Sequence, residues 1–226
     1  MKDLFVKYGI EVDQEKLDKF NNYYELLCYY NEKFNLTAIT EKKEVYIKHF
    51  IDSLLYTEFS TDKTLIDIGS GGGFPALPIA IMNKNLKVTL LEATEKKCNF
   101  LNEVISKLGL DNANVVCGRA EDFSKDVKFR EKFDYASARA VARMNILTEY
   151  CLPFVKVGGN FIAFKGSDES EILESKTAIK LLGGEIEKVI STSLEDAKRN
   201  IVVVKKVKNT PNTYPRKNGQ IRKKPL

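Results

Sequence analysis

TLIDIGSGGGFPALPIAIMNKNLKVTLLE, residues Thr64–Glu92, places four glycines between two apolar runs and ends on a single acid. The glycines at positions 69, 71, 72 and 73 can adopt positive φ and allow a ligand to lie against bare backbone. Pro75 has the φ angle of a first helical turn, so we predict that a helix begins directly behind the loop. Unpaired N–H groups at that helix start would face the same ligand. The stretch therefore predicts a strand, a ligand-binding loop, a helix and a second strand in succession.

Three kinds of ligand compete for such a loop: a phosphate, a dinucleotide and S-adenosylmethionine. A phosphate loop requires the pattern GxxxxGK[ST], and no Lys-Ser or Lys-Thr follows these glycines. The dinucleotide pattern GxGxxG would place a small residue where the chain has Phe74, so that match is incomplete. Glu92 ends the second apolar run, where a carboxylate can accept both hydroxyls of a ribose. This acid suits nicotinamide cofactors and S-adenosylmethionine equally well, and the alternative is an ordinary capping or surface acid.

Short apolar runs alternate with amphipathic stretches after residue 62, which is the pattern of a βαβ fold with a mainly parallel sheet. We predict seven strands, at residues 65–69, 87–92, 113–118, 134–139, 159–166, 185–193 and 200–207. Helices are predicted at 75–82, 95–108, 144–154 and 169–182, with a short one from Glu121. The link 194–199 is too short for a crossover, so the last two strands should be antiparallel. By analogy of fold, this order behind DxGxGxG predicts an α/β, Rossmann-like class I S-adenosylmethionine-dependent methyltransferase.

The first 60 residues show a different spacing of apolar residues. Apolar residues recur every three or four positions from residue 13 to residue 36, which predicts an amphipathic helix. A second helical stretch follows a turn at NLTAIT, residues 35–40. We therefore predict a helical extension at 1–60, a methyltransferase domain at 61–207 and a basic tail at 208–226.

The positive charge of the chain is concentrated at its C-terminus. The net charge is +5, yet residues 205–226 alone carry eight Lys or Arg and no acid. Such a segment is either a solvated, disordered end or an arm that binds nucleic-acid phosphates. The four cysteines stand apart and His49 is the only histidine, so no metal site is predicted. Without a visible export signal or long apolar segment, we expect a cytoplasmic protein that is not associated with membranes.

The end of the fourth predicted strand lacks the motifs of two common classes of methyltransferase, which limits the choice of methyl acceptor. Methylation of pyrimidine C5 requires a cysteine nucleophile there, and methylation of exocyclic amines usually shows Asp/Asn-Pro-Pro-aromatic; the chain reads SARAVAR. Guanine nitrogen 7 has an in-plane lone pair and no proton to lose, so its methylation needs alignment rather than a base. His49 is accordingly interpreted as packed or hydrogen-bonded, while Asp52 and Ser53 are expected to fix the helical extension to the sheet.

Six segments together resemble one family: NLTAIT, HFIDSLL, DIGSGGGFPALPIAI, SARAVA, FKG and the closing YPRKNGQIRKKPL. In order and spacing they are similar to the glucose-inhibited division protein B family of bacterial small-subunit ribosomal RNA 7-methylguanosine methyltransferases. The resemblance implies methylation of one guanine in 16S ribosomal RNA with S-adenosylmethionine as donor. It also implies five cofactor contacts: Gly69, Phe74, Ala120, Glu121 and Arg139. Asn200 departs from the family, which usually has histidine there.

Arg139 and Lys165 end the fourth and fifth predicted strands, at the edge where open α/β sheets bind ligands. We predict catalytic positions for both, with Gly71 and Glu92 completing the cofactor site. Ion pairs of Arg139 with Glu121 and of Lys165 with Asp168 are the structural alternatives. The residues predicted to bind RNA are Lys165, Arg199, Arg216, Lys217, Arg222, Lys223 and Lys224.

Other functions remain open on the sequence alone. They are methylation of another RNA or of a protein, RNA binding without catalysis, and nicotinamide-dependent oxidation. The expected partner is 16S ribosomal RNA or the small ribosomal subunit, and the expected oligomeric state is a monomer.

Overall fold

One seven-stranded sheet organises the chain, of which the computed structural model describes residues 1–226. Its strands follow one another in space as β3-β2-β1-β4-β5-β7-β6. β1 to β5 are parallel, and β7 runs antiparallel to both β5 and β6. The strands are β1 Thr64–Ile68, β2 Lys87–Glu92, β3 Ala113–Cys117, β4 Phe133–Arg139, β5 Val155–Lys165, β6 Gly184–Leu194 and β7 Ala197–Lys206. The predicted seven strands and the antiparallel last strand are confirmed.

Nine α-helices surround the sheet: α1 Lys2–Lys7, α2 Gln14–Asn31, α3 Lys42–Val45, α4 Ala76–Met82, α5 Glu95–Leu108, α6 Ala120–Phe123, α7 Met144–Cys151, α8 Ser170–Leu181 and α9 Asn218–Lys223. A π-helical turn, Tyr46–Ile51, continues α3, and a 3-10 turn, Leu152–Phe154, follows α7. Local signals fix several ends. The Asp13 side chain accepts a hydrogen bond from the Lys16 N–H at the start of α2, and Gly109 ends α5 at φ +58°. No helix combines the length and the apolar character that crossing a membrane demands.

Several boundaries differ from the sequence prediction; β7, for example, begins at Ala197 rather than at residue 200. Two of the differences have a clear local cause. β5 begins at Val155 rather than at residue 159, because Val155 pairs with Phe133 across an irregular register before the regular pairing resumes. The predicted helix 144–154 changes to a 3-10 turn at Leu152, next to Pro153. Proline has no N–H to donate to the preceding turn, so the α-helical pattern ends there.

Each face of the sheet buries its own apolar core. The helical extension packs on the first face, where Phe20, Tyr23 and Phe50 join Leu65 of β1 and Leu77 of α4 in one cluster. The second face is covered by α7, α8 and the C-terminal segment, with Ile221 of α9 fully buried. Both termini are therefore held on the sheet, one on each side.

Candidate functional site

The carboxyl edge of the parallel strands contains two cavities, one on each side of the junction between β1 and β4. We call the first the glycine cavity; it spans the ends of β3, β2 and β1 and is lined by Ile68, Gly69, Leu91, Ala93, Gly118, Arg119, Ala120, Glu121, Val141, Tyr150, Asn218 and Arg222. We call the second the arginine cavity; it spans the ends of β4 and β5 and the start of β7 and is lined by Lys48, His49, Asp52, Leu55, Arg139, Ala140, Phe164, Lys165, Gly166, Arg199, Asn200 and Ile201. Since β7 is antiparallel, its first residues reach the same edge.

The glycine loop takes the backbone shape that its sequence predicts. Gly69, Gly71 and Gly73 have φ of +72°, +55° and +92°. A Cβ on Gly73 would lie 2.5 Å from both Leu77 Cδ1 and the Tyr23 hydroxyl oxygen, so glycine is required there by packing as well. A Cβ on Gly71 would enter open space, with only the Gly69 carbonyl oxygen near it, at 3.8 Å. The surface at Gly71 is therefore free to receive a ligand.

Glu92 is tied to the glycine loop. One carboxylate oxygen accepts a hydrogen bond from the Gly71 N–H at 2.9 Å, and the other accepts one from the Thr94 N–H at 2.8 Å. The residue is 6% exposed. A carboxylate can accept about four hydrogen bonds, so each oxygen retains a free lone pair for a ligand hydroxyl. The alternative of a surface acid is wrong, because this acid is buried and shapes the loop. The capping alternative is met in part, because Thr94 is the N-cap residue of α5.

The far wall of the glycine cavity comes from the other end of the chain. Tyr150 of α7 donates a hydrogen bond to Asn218 Oδ1 of α9 at 2.7 Å. Asn218 and Arg222 line the cavity together with Ala120 and Glu121, which follow β3. This contribution of α9 was not predicted, because nothing in a basic tail signals that it folds back on the first βαβ unit.

Asp52 organises the arginine cavity. Its two carboxylate oxygens accept hydrogen bonds from Arg139 Nη1 and Arg199 Nε, each at 2.7 Å. Asp52 is 6% exposed, and the buried, ion-paired group joins the helical extension to β4 and β7. The predicted role of Asp52 as a tie is thereby confirmed, whereas Ser53 donates to the His49 carbonyl within its own helix. The alternative pairing of Arg139 with Glu121 is wrong.

His49 is held between charged and aromatic neighbours. Its Nδ1 lies 3.3 Å from Arg139 Nη2, and its Nε2 lies 2.7 Å from Thr37 Oγ1. The ring stacks on Phe74 with centroids 4.6 Å apart. Burial, reinforced by the Arg139 charge, lowers the pKa of His49 to about 4. The imidazole is therefore neutral near pH 7, which agrees with its interpretation as a packed, hydrogen-bonded residue.

Lys165 forms part of the arginine cavity wall. Its Nζ lies 2.6 Å from a carboxylate oxygen of Glu171 and donates to the Ala142 carbonyl at 3.1 Å. The same Glu171 oxygen accepts from the Met144 N–H at the start of α7. The structural alternative named Asp168 as the partner, and that choice is wrong, because Asp168 accepts from Ser170 at the start of α8 instead.

The structure separates the predicted site residues into groups. Gly69, Ala120 and Glu121 line the glycine cavity, with Gly71 and Glu92 in the adjoining loop. Arg139, Lys165 and Arg199 line the arginine cavity. Phe74, predicted to contact the cofactor, places its ring in neither cavity; it is 7% exposed and packed between His49 and Tyr23.

The cations of the tail are not equivalent. Arg216, predicted to bind RNA, is bound by Glu149: its Nε and Nη2 donate to that carboxylate, and so does its backbone N–H. Glu149 is fully buried, so Arg216 neutralises an interior charge and is not free for phosphate. Lys217, Lys223 and Lys224 are exposed, and Arg222, also exposed, stands at the mouth of the glycine cavity.

Asp67, the first residue of DxGxGxG, was not singled out as a site residue. It is fully buried below the glycine loop, where Oδ1 accepts from the Ser137 hydroxyl at 2.7 Å and Oδ2 has no hydrogen-bond partner. Burial raises the pKa of Asp67 to about 7. Its position as the first residue of the motif could have marked it as a candidate site residue.

Comparison with known proteins agrees with this geometry. The family model described as rRNA small subunit methyltransferase G matches residues 16–202. The chain belongs to the rRNA small subunit methyltransferase G family. S-adenosylmethionine-dependent methylation of small-subunit ribosomal RNA, predicted from the sequence, is thereby confirmed as its activity.

Relatives in this family cover nearly the whole length of the chain. A Clostridium beijerinckii protein named ribosomal RNA small subunit methyltransferase G is 50% identical over 224 residues, which are 96% of this chain and 94% of the relative. A protein of the same name from Brevibacillus brevis is 46% identical over 230 residues, which are 99% of this chain and 97% of the relative. The similarity thus includes both the helical extension and the tail.

Solved structures with low sequence identity share the fold. TYW2 of M. jannaschii in complex with AdoMet has a TM-score of 0.57 at 14% identity, covering 75% of this chain and 80% of that one. A SAM-dependent methyltransferase from Aquifex aeolicus has a TM-score of 0.54 at 18% identity, covering 71% and 92%. The predicted class I methyltransferase fold is confirmed.

Proposed function

We propose that this member of the family transfers the methyl group of S-adenosylmethionine to ring nitrogen 7 of a guanine in 16S ribosomal RNA. One observation carries the proposal: the glycine and arginine cavities meet at two consecutive residues. Ala140 lines the arginine cavity and Val141 lines the glycine cavity. A donor in one cavity and a base in the other would meet beside this short segment, and an in-line transfer requires such direct contact.

The residues of the glycine cavity fit the donor. Glu92 has free lone pairs for the ribose hydroxyls, and the open surface at Gly71 leaves room beside the loop. The cavity itself encloses about 110 Å³, which suits the adenine end, with the remainder of the donor along the loop. When bound, the donor supplies a methyl group on a positively charged sulfur. The residues of the cavity bind and orient it.

The arginine cavity fits the acceptor. It encloses about 310 Å³, at the lower end of the usual range for small-molecule sites. Its side chains carry N–H donors, which suit the guanine carbonyl and a neighbouring phosphate. Arg199 is the candidate for phosphate, because its Nη2 makes no hydrogen bond within the protein and its side chain is 25% exposed. Arg139, held by Asp52, is the candidate for the guanine carbonyl or for the donor carboxylate.

The charges in the cavity are compatible with methylation of nitrogen 7. Methylation turns a neutral purine into a cation, so a cation placed against nitrogen 7 itself would oppose the reaction. Asp52 lies between the two arginines and offsets part of their charge. His49, with its lowered pKa, adds no positive charge near pH 7 and is not required as a base. The arrangement therefore orients the base without taking a proton from it.

The RNA contacts outside the cavity are assigned to the exposed tail cations Lys217, Lys223 and Lys224. Such contacts position a nucleic acid through its phosphates. A target base would have to leave its stack to enter a cavity of this kind. Three points stay predictions: whether the substrate is free 16S ribosomal RNA or the small ribosomal subunit, the monomeric state, and the cytoplasmic location.

The test is methyl transfer followed by nucleoside analysis. The protein is incubated with labelled S-adenosylmethionine and 16S ribosomal RNA from cells that lack the enzyme, and the labelled nucleoside is identified. We expect 7-methylguanosine at a single site, and no transfer by the Gly71→Val variant. Label in another nucleoside would contradict the choice of nitrogen 7, and label in protein alone would contradict the RNA substrate.

A further inference from the structure

The C-terminal segment is a built part of the protein and not a solvated arm. Arg130 donates to the carbonyls of Thr210 and Tyr214, and Arg216 pairs with the buried Glu149. Ile221 is fully buried against the second face of the sheet. These contacts fix the position of α9 over the carboxyl edge.

Only one side of α9 faces the glycine cavity. Asn218 and Arg222, one turn apart, line that cavity, while Lys223 and Lys224 are exposed and line none of its surface. Residues four apart on a helix share a face, so Asn218 and Arg222 act on the same volume. The tail therefore places an amide and a guanidinium at the cavity and lysine side chains in solvent.

Asn218 is oriented for recognition of a nucleobase. Its Oδ1 accepts from the Tyr150 hydroxyl, and its Nδ2 donates no hydrogen bond within the protein. Glu121, 8% exposed, provides acceptor oxygens in the same cavity. A donor and an acceptor together match the edge of adenine, which has ring nitrogens that accept and an amine that donates. The planar guanidinium of Arg222 at the mouth can lie over a purine ring.

We propose that Asn218 and Arg222 contact the adenine end of S-adenosylmethionine, so that α9 forms the outer wall of the donor site. This inference rests on the proposed placement of the donor in the glycine cavity. It reassigns Arg222, which the sequence analysis placed among the RNA-binding residues, to the donor. The basic tail then serves both substrates, with its inner face on the donor and its outer face on RNA.

The test uses full-length variants and calorimetric titration with S-adenosylhomocysteine. Asn218→Asp keeps the acceptor for Tyr150 and removes the free donor; we expect about 10-fold weaker binding or more. Arg222→Ala should weaken binding by about 3- to 10-fold. The matched control is Lys223→Ala, on the solvent side of the same helix, which should stay within about twofold of the parent. Thermal melting of each variant checks that α9 remains packed. Tyr150→Phe removes the hydrogen bond that orients Asn218 but keeps Asn218 itself, so it should weaken binding less than Asn218→Asp does.

The variants separate two kinds of failure. If Asn218→Asp and Arg222→Ala bind normally while Gly71→Val does not, this inference is wrong and the donor site stands. If all three bind normally, the glycine cavity is not the donor site, and the arrangement of donor and acceptor on which the proposed function rests is wrong. Equal losses in Asn218→Asp and Lys223→Ala would also overturn the inference, because the effect would then not depend on the side that faces the cavity.

Discussion

The two cavities at the sheet edge are built by different means. The glycine cavity depends on backbone: positive φ in a short loop, N–H groups, and one acid that binds them. The arginine cavity depends on side-chain charge, with Asp52 joining β4 and β7 to the helical extension. The first kind of site should lose more when a side chain is added to the loop than when a charge is neutralised, whereas the second should fail when one charge is removed.

The largest effect is expected for Asp52→Ala in the arginine cavity. The substitution leaves Arg139, whose side chain is 12% exposed, without its carboxylate. Removing one partner of a buried ion pair typically lowers the free energy of unfolding by about 3–5 kcal/mol. Chemical denaturation measures it, with Glu174→Gln as control, because its pair with Arg143 is about half exposed. A loss in Asp52→Ala no greater than in the control would contradict the proposed organisation.

Gly71→Val should break the glycine cavity alone. The added side chain occupies the open space beside the loop and opposes the φ of +55°. We expect donor affinity to fall by about 100-fold or more, roughly 2.7 kcal/mol. The matched control is Gly109→Val at the end of α5, where φ is +58° and nothing lies within 4 Å of the added Cβ. An equal loss of donor affinity in both variants would mean that backbone strain, and not the blocked ligand surface, causes the effect. RNA binding should survive in both variants.

His49→Gln tests the neutral imidazole by its pH dependence. The folded pKa, about 4, lies below the unfolded value of 6.5, so the unfolded chain binds more protons between these values. The stability contributed by neutral His49 is therefore present above about pH 6.5 and is lost as the pH falls to 4. The advantage of the parent over His49→Gln should shrink by about 2–3 kcal/mol across this window. Unfolding curves at several pH values measure it; a constant difference would mean that His49 titrates normally.

The smallest effect is expected for Glu92→Gln. A neutral amide retains one acceptor and loses the charged hydrogen bond to either Gly71 or Thr94. Donor binding should weaken by roughly 1–2 kcal/mol, less than for Gly71→Val. A loss as large as that of Gly71→Val would show that the acid, and not the open backbone, dominates the glycine cavity. Isothermal titration with S-adenosylmethionine distinguishes the two.

The sequence was most informative where neighbours along the chain form the site. DIGSGGGF and Glu92 belong to one βαβ unit, so spacing predicted the loop and its acid. The class of ligand required more: the order of the seven strands and the resemblance to a known family. The seven strands followed from alternation, although bounds shifted at Val155, where a register irregularity extends β5. Such irregularities arise from pairing between strands, which local patterns do not contain.

Long-range pairing explains what could not be predicted from the sequence. Asp52 was expected to join the helical extension to the sheet, but its partners Arg139 and Arg199 come together only after the sheet forms, so no spacing reveals them. The same holds for Arg216, whose partner Glu149 lies on α7 and makes a tail cation part of the interior. Phe74 followed the family pattern, yet the neighbouring aromatic rings of the helical extension hold its ring away from both cavities.

The division between donor and acceptor cavities is tested most directly at Lys165, with donor affinity and turnover on 16S ribosomal RNA measured for Lys165→Ala and Glu171→Gln. Both substitutions break the pair at 2.6 Å, but only the first removes the amine from the arginine cavity. We predict that Lys165→Ala lowers turnover by about 100-fold and keeps donor affinity within about twofold, while Glu171→Gln retains most of its turnover. Equal turnover losses in the two variants, or a donor affinity that falls together with turnover in Lys165→Ala, would contradict the account.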